Sequence, residues 1–340
     1  MTLRRRKAVF KADLVVIDEP QLFCLTAGKS MIIALAVPEA EDSEFDHIAA
    51  SVTQKNWERY LGGYVDVRYL FTYPFHRSLY VFHSKDFAED GVMLRPWENE
   101  FSEQLLPSHG IFSSSHTEEF GDFEEADEEE QLFIDGEWQL NEFGSFYQRY
   151  SDIYFFSAAV KNVDRQDIPQ AYKGRIKNAF ARKPFKGGSS YMHMFDELQD
   201  CLPRGEKLSL EGIEYNSPGD VRMNGMAEHF SDIEKLISNY VLNRQKIRNS
   251  HKKLRDFMTK HQLLGLAASS FDQGSAEAAT LEQDAKILSD ELSLSSFDTV
   301  KTLCNNNSLV VAKVMLAIFR RIDSASAFFA EGRMAFERDA

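Results

Sequence analysis

The most regular patterning in the chain lies at 224–262, where apolar positions recur with the alternating four and three spacing of a heptad. Met226, Phe230, Ile233, Ile237, Tyr240, Arg244, Ile247, His251, Leu254 and Met258 form one seam. A helix of this length runs roughly 55–60 Å at about 1.5 Å per residue, longer than a small domain is wide. It therefore requires another long helix or a second subunit to cover it. A matching seam of Val311, Met315, Ile318, Ile322, Ala325, Phe329, Gly332 and Phe336 predicts a last helix over 308–336. Between them, 269–275 reads as a loop, and Leu281, Ala285, Leu288 and Leu292 mark a shorter helix. The two seams predict a helical bundle or an antiparallel coiled coil, closed within one chain or completed by another. In the second case Ile233, Ile237, Tyr240, Ile247, Ile318, Ile322 and Phe329 are the partner or oligomer interface.

Ahead of these helices the pattern is mostly β. The runs 14–17, 21–26 and 31–37 are short and rich in Val, Ile, Leu and Phe, and Gly28 suits the hairpin turn between the second and third. After an acidic loop at 39–46 come a strand at 48–53, a helix at 54–61 stopped by Gly62-Gly63, and strands at 65–72 and 78–83. The runs 132–140 and 153–160 also read as strands, the latter apolar enough to be buried on both faces. A helix follows at 168–181 with Asp167 as N-cap, then another from Gly187-Gly188-Ser189-Ser190 through Cys201. A hairpin at 208–223 turns at Asn216-Ser217-Pro218-Gly219-Asp220 and leads into the long helix. The expected fold is α+β. A small antiparallel β-rich N-terminal domain, 1–206, carries an acidic loop at 113–131, and the C-terminal domain, 207–340, is the hairpin plus a long-helix bundle or coiled coil.

The run Ile17-Asp18-Glu19-Pro20-Gln21-Leu22-Phe23, the strand ending Ala36-Val37-Pro38, and Arg68-Tyr69-Leu70-Phe71 resemble an uncharacterised bacterial domain family of unknown function, over residues 1–85. The resemblance implies a prokaryotic origin and a small β-rich fold. As a setting it suggests an accessory subunit of a stress or phage-defence system. It supplies no catalytic residue.

Charge changes the picture locally. With 53 acidic against 39 basic residues the chain carries a formal charge of −14, which disfavours a surface that clamps DNA or RNA as a whole. Two basic segments stand out against that background. Over 173–186, Lys173, Arg175, Lys177, Arg182, Lys183 and Lys186 interleave with Tyr172, Phe180 and Phe185. This suits single-stranded nucleic acid, by phosphate contact and stacking, or simply an amphipathic helix. The second half of the long helix carries Arg244, Lys246, Arg248, Lys252, Lys253, Arg255 and Lys260, relieved only by Asp256. Its readings are a solvated face, an acidic partner within or outside the chain, and nucleic acid. Conversely, nine of the thirteen residues at 118–130 are carboxylic, with Phe120 and Phe123 among them. That block reads as a mobile loop, a mimic of nucleic-acid phosphates, or a mate for the basic helix.

Recognisable catalytic patterning is sparse. Cys24, Cys201 and Cys304 are far apart and read as reduced thiols, consistent with a cytoplasmic protein, and no run approaches the length needed to span a bilayer. None of the nine His lies in a His-Glu-x-x-His run, and neither a Gly-x-Ser-x-Gly elbow nor a Gly-x-Gly-x-x-Gly turn is present. His193 with Asp196 and Glu197 is the best local cluster, and a metal site there would need a ligand from elsewhere such as His229, but a surface helix explains it more simply. The Gly187-Gly188-Ser189-Ser190 turn lacks the residue order of a Walker loop. No catalytic residue, metal or cofactor is assigned. The expectation is a non-enzymatic interaction or oligomerisation protein with a homo-oligomeric or other protein partner. The alternatives are nucleic-acid binding through 173–186 and 244–260, and an enzyme with a dispersed site.

Overall fold

Alternating side chains in the first hundred residues close six strands into an antiparallel barrel: β1 (Arg6–Val16), β2 (Pro20–Ala27), β3 (Ser30–Ala36), β4 (His47–Val52), β5 (Leu79–Phe82) and β6 (Val92–Trp97). The closing pair is β1 with β6, where Arg6 lies opposite Leu94. The computed structural model describes residues 5–16, 20–37, 44–88, 91–113, 128–181, 192–216 and 218–337. They fall into two units, Met1–Asp122 and Phe123–Ala340.

In the first unit the two faces of each strand serve two cores. All six strands contribute to one, from Ala8, Phe23, Ile32, Ala34, Ala49, Tyr80, Phe82, Val92 and Leu94 among others. We take this as the barrel interior, where the alanines let a small barrel close around a few large rings. The opposite face offers Leu22, Cys24, Ile33, Ile48, Ala50 and Val81 to α1 (Gln54–Leu61) and α2 (Val67–Thr72). Helix α1 has the bounds its sequence predicts: the Thr53 side chain accepts from the Asn56 amide, and Gly63, at φ 72°, follows its end. Gly28, at φ 62°, makes the expected β2–β3 turn. The run 65–72, expected as a strand, is instead the short helix α2. Asp66 Oδ1 caps it by accepting from the Tyr69 amide at 2.8 Å, and Val67, Leu70 and Phe71 are buried.

The second unit is built on α9 (Ser308–Ala330), in which every residue from Ser308 to Phe319 is buried. Around it lie α3 (Leu140–Asp164), α6 (Ala227–Lys260) and α7 (Ala276–Glu291), with α4 (Gln170–Ala181), α5 (Met192–Asp200) and α8 (Phe297–Leu303) as the further α-helices among the described residues. A helix buried on all sides has several partners, so α9 is an axis rather than one strand of a two-helix seam. A four-stranded sheet, in the order β10 (Met334–Ala335), β7 (Glu128–Ile134), β9 (Gly219–Gly225), β8 (Ser209–Glu214), shares this core through Leu132, Ile134, Val221 and Met223.

Three expectations change here. The boundary expected at 206/207 moves to 122/123, because β7 pairs with β9 and α3 packs on α9. The run 153–160 is not a central strand but the middle of α3. Its residues are buried almost all round, so the polar stripe that gives a helix its period is missing. Of the acidic loop, 114–127 lies outside the described residues, while 128–131 opens β7, with Glu130 opposite Met223.

A buried ion pair crosses the unit. Arg321 of α9 bonds Asp152 of α3 at 3.0 Å, and its guanidinium lies 4.0 Å from the ring centre of Phe195 in α5. Breaking such a pair leaves a charge uncompensated in the core.

Candidate interface on the long helix

Helix α6 changes character at Asn243, whose φ of −112° and ψ of 17° depart from helical values. Its side-chain amide donates to Asn239 Oδ1 at 2.9 Å, a local bond that competes with the helical ladder. Ahead of the bend, Phe230, Ile233, Ile237 and Tyr240 are buried. Beyond it Ile247, Leu254 and Met258 keep the buried stripe, while all seven basic residues of this half are exposed.

Within the unit, carboxylates answer three of these seven. Lys253 Nζ meets Asp284 Oδ1 at 2.7 Å, Lys246 meets Glu291 at 3.7 Å, and the Arg248 guanidinium meets Asp323 Oδ1 at 2.6 Å. Arg248 also donates to the Tyr240 hydroxyl at 3.1 Å, which in turn bonds Asp323. Burial, with the Asp323 carboxylate adding to it, pushes the Tyr240 phenol up to about 12. The intramolecular acidic partner is thus supplied by α7 and α9. Arg244, Lys252, Arg255 and Lys260 meet no acidic side chain among the described residues. Val241, Arg244, Arg248, Lys252 and Arg255 follow one another at three, four, four and three residues, which puts them along one side of the helix. Val241, at the start of this row, is 38% exposed, and Leu242, the next residue and about 100° further round the helix, is 83% exposed.

Between α6 and α9, His251 stacks on Phe319 with ring centres 3.8 Å apart, and its buried Nε2 has no hydrogen-bond partner. Burial lowers its pKa to about 4, and Arg320 and Arg255 push the same way, so the ring is neutral.

The other expected contacts are placed elsewhere. Lys173, Arg175 and Lys177 lie on α4, which packs on α3, α5 and α8, whereas the basic half of α6 faces α7 and α9. Arg175 donates to the Asp200 carbonyl, and its guanidinium lies 5.7 Å from the Tyr172 ring. Arg182, Lys183, Lys186 and the Gly187-Gly188-Ser189-Ser190 turn lie outside the described residues. The seam residues Ile233, Ile237, Tyr240, Ile247, Ile318 and Ile322 are at most 1% exposed within the chain's own core, and Phe329 is half-buried, stacked on Phe336 at 4.5 Å. They are occupied before any partner arrives.

A polar hub in the barrel unit has no counterpart in the sequence reading. Asp46 Oδ1 accepts from His47 Nδ1 at 2.6 Å and the Ser84 amide at 2.7 Å, and Oδ2 lies 2.6 Å from His83 Nδ1 and 2.5 Å from Ser84 Oγ. Burial opposes ionisation of Asp46, but the bonds from Ser84 and His47 prevail and bring it down to about 2. The ionised carboxylate makes Nδ1 of His47 the donor in that bond. His47 further stacks on Phe82, with ring centres 4.9 Å apart. A second feature is an open cleft of about 360 Å³ lined by Lys161, Asp164, Arg165, Glu228, Ser295, Ser296 and Thr299 with Val160. Its cations are already matched: Lys161 by Glu228 and Asp232, Arg165 by Asp167 and Glu206. Among the described residues no group of three or more His, Cys, Asp or Glu is placed to hold a metal ion. Nor is any described helix long and apolar enough to cross a membrane. No protein-family model, no curated protein and no solved structure matches the chain.

Proposed function

We propose that the chain is a non-enzymatic interaction protein whose second unit docks an acidic protein partner on the outer face of α6. The observation that carries this reading is the row of unmatched cations, Arg244, Lys252 and Arg255, with the exposed apolar Val241 at its start and the more exposed Leu242 next to Val241 in the chain. An apolar anchor rimmed by charge is the make-up of a protein interface. Nucleic acid is the second reading, favoured by the same cations but with no use for Leu242. The setting we infer is the bacterial cytoplasm, in which three free, buried cysteines remain reduced. A homo-oligomer, on this reading, uses exposed surface rather than the buried seams.

The test measures binding of a labelled amphipathic Glu/Leu peptide and of labelled DNA, duplex and single-stranded, at low and high salt. An acidic protein partner predicts that the peptide binds and is weakened about tenfold or more by Lys252→Glu with Arg255→Glu, and also by Leu242→Asp. Binding of DNA that senses the charge reversal and ignores Leu242→Asp would favour nucleic acid. If neither ligand responds to Lys252 and Arg255, the face is plain solvated surface and the proposal fails.

A further inference from the structure

Among the described residues strand β8 is the outermost strand of the second unit's sheet and pairs with β9 alone, so one row of its backbone donors and acceptors is open there. The side chains along it are equally unfinished. Leu210 lies opposite Met223 and Ile213 opposite Val221, and both of those partners are fully buried. Cross-strand partners share a face, so Leu210 and Ile213 belong to the apolar inner face of the sheet. Yet they are 41% and 44% exposed, and Tyr215 just beyond is 55% exposed. The core's apolar layer therefore runs out onto a strand that nothing among the unit's described residues covers. Tyr215 is nevertheless held in place, since its hydroxyl accepts from the Trp138 amide at 3.1 Å.

The usual devices that blunt an edge are partly present and of one sign. A bulge lies between Leu210 and Gly212, and Glu211 and Glu214 are exposed, while β8 has no Lys, Arg or Pro. Two copies of β8 set side by side would bring four carboxylates to one seam, which disfavours self-pairing.

We propose that β8 receives an extended segment of a partner protein as a fifth strand, a segment in which apolar residues alternate with Lys or Arg. The main chain would pair along the open edge, apolar side chains would extend the layer of Leu210 and Ile213, and the basic ones would meet Glu211 and Glu214. This surface is separate from the α6 row and takes the opposite charge.

The probe is a labelled nine-residue peptide of alternating Val and Lys, titrated against the full chain by fluorescence anisotropy. A second peptide of the same sequence carries N-methyl groups on alternate amides, which keep its charge but block strand pairing. The proposal predicts binding of the first peptide only, with protection of the 209–214 amides from exchange. It also predicts about tenfold weaker binding to Glu211→Lys/Glu214→Lys and a smaller loss for Ile213→Asn. All three sites are exposed, so the variants keep their fold. Equal binding of the methylated peptide would reduce the effect to general attraction by an acidic protein and overturn the proposal, as would no binding of either peptide. A dimer that Ile213→Asn dissolves would assign the edge to a second copy instead.

Discussion

Asp46 accepts three hydrogen bonds, from His47 Nδ1 and the Ser84 amide on Oδ1 and from the Ser84 hydroxyl on Oδ2, and so joins the start of β4 to the end of β5. Its pKa falls from the ordinary 3.8 to about 2, so the bonds contribute stability that is present above about pH 4 and lost as the pH falls through about 2. A shift of that size corresponds to about 2 kcal/mol. Asp46→Asn should lower the unfolding free energy by roughly that amount at pH 7, and in urea titrations the gap from the unsubstituted protein should narrow from pH 4 downward. His229 has the opposite sign. It is wholly buried, its ring edge-on to Tyr154, with both nitrogens lacking partners, and burial lowers its pKa to about 4. The unfolded chain therefore binds the proton more readily, and stability falls as the pH drops from about 6.5 toward 4, by about 2 kcal/mol at pH 5. His229→Leu should remove that loss without a comparable penalty at pH 7, because it also removes two unsatisfied polar atoms. A pH-independent difference between the two proteins would contradict this account. Neither site could be read from spacing along the chain. Asp46 and Ser84 are 38 residues apart, and only the pairing of β4 with β5 brings them together.

Helix α6 separates two kinds of lysine that look alike in sequence. Lys253 is tied to Asp284, a residue 3% exposed, whereas its neighbour Lys252 is exposed and unmatched among the described residues. Lys253→Gln should cost about 1–2 kcal/mol, since a buried carboxylate loses its partner while the lysine itself is largely solvated. Lys252→Gln should change stability by less than about 0.5 kcal/mol, and paired thermal melts of the two variants decide the matter. The helix itself was legible from its heptad, because one buried stripe against a polar surround imprints a period on the sequence. Helix α3 was not, since its middle has almost no polar face, and an apolar run without a period fits a buried strand as well as a buried helix. Helix α2 is hidden in the sequence for another reason. Six residues carry too little periodicity to outweigh β-favouring Val67, Tyr69 and Phe71, and the deciding signal is the Asp66 cap. Of the candidate site, the positive charge could be read directly, but its division between matched and unmatched residues depends on carboxylates supplied by α7 and α9.

Each unit contains its own hydrophobic core. Two clusters occupy the barrel unit, on the two faces of its strands, and one continuous cluster runs from Leu132 through Met334 in the other. Two heptad seams in one chain suggested an assembly of subunits, because sequence periodicity records that a stripe is buried and is silent on which chain buries it. With Ile233, Ile237, Ile318 and Ile322 all at most 1% exposed, cutting into a seam should destabilise a fold rather than release a subunit. Ile318→Ala should therefore lower the unfolding free energy of the second unit by about 2–5 kcal/mol while leaving the mass in solution unchanged. The same substitution in the fragment 123–340 should have the same effect, since the side chains around Ile318 belong to that unit's cluster. Phe82→Ala, in the barrel interior, should cost about 3–5 kcal/mol in the first unit's transition instead. Light scattering beside calorimetry checks both: a loss of mass on Ile318→Ala would mean that the seam closes between chains after all, and the α6 face would then have to be reconsidered as part of a subunit contact.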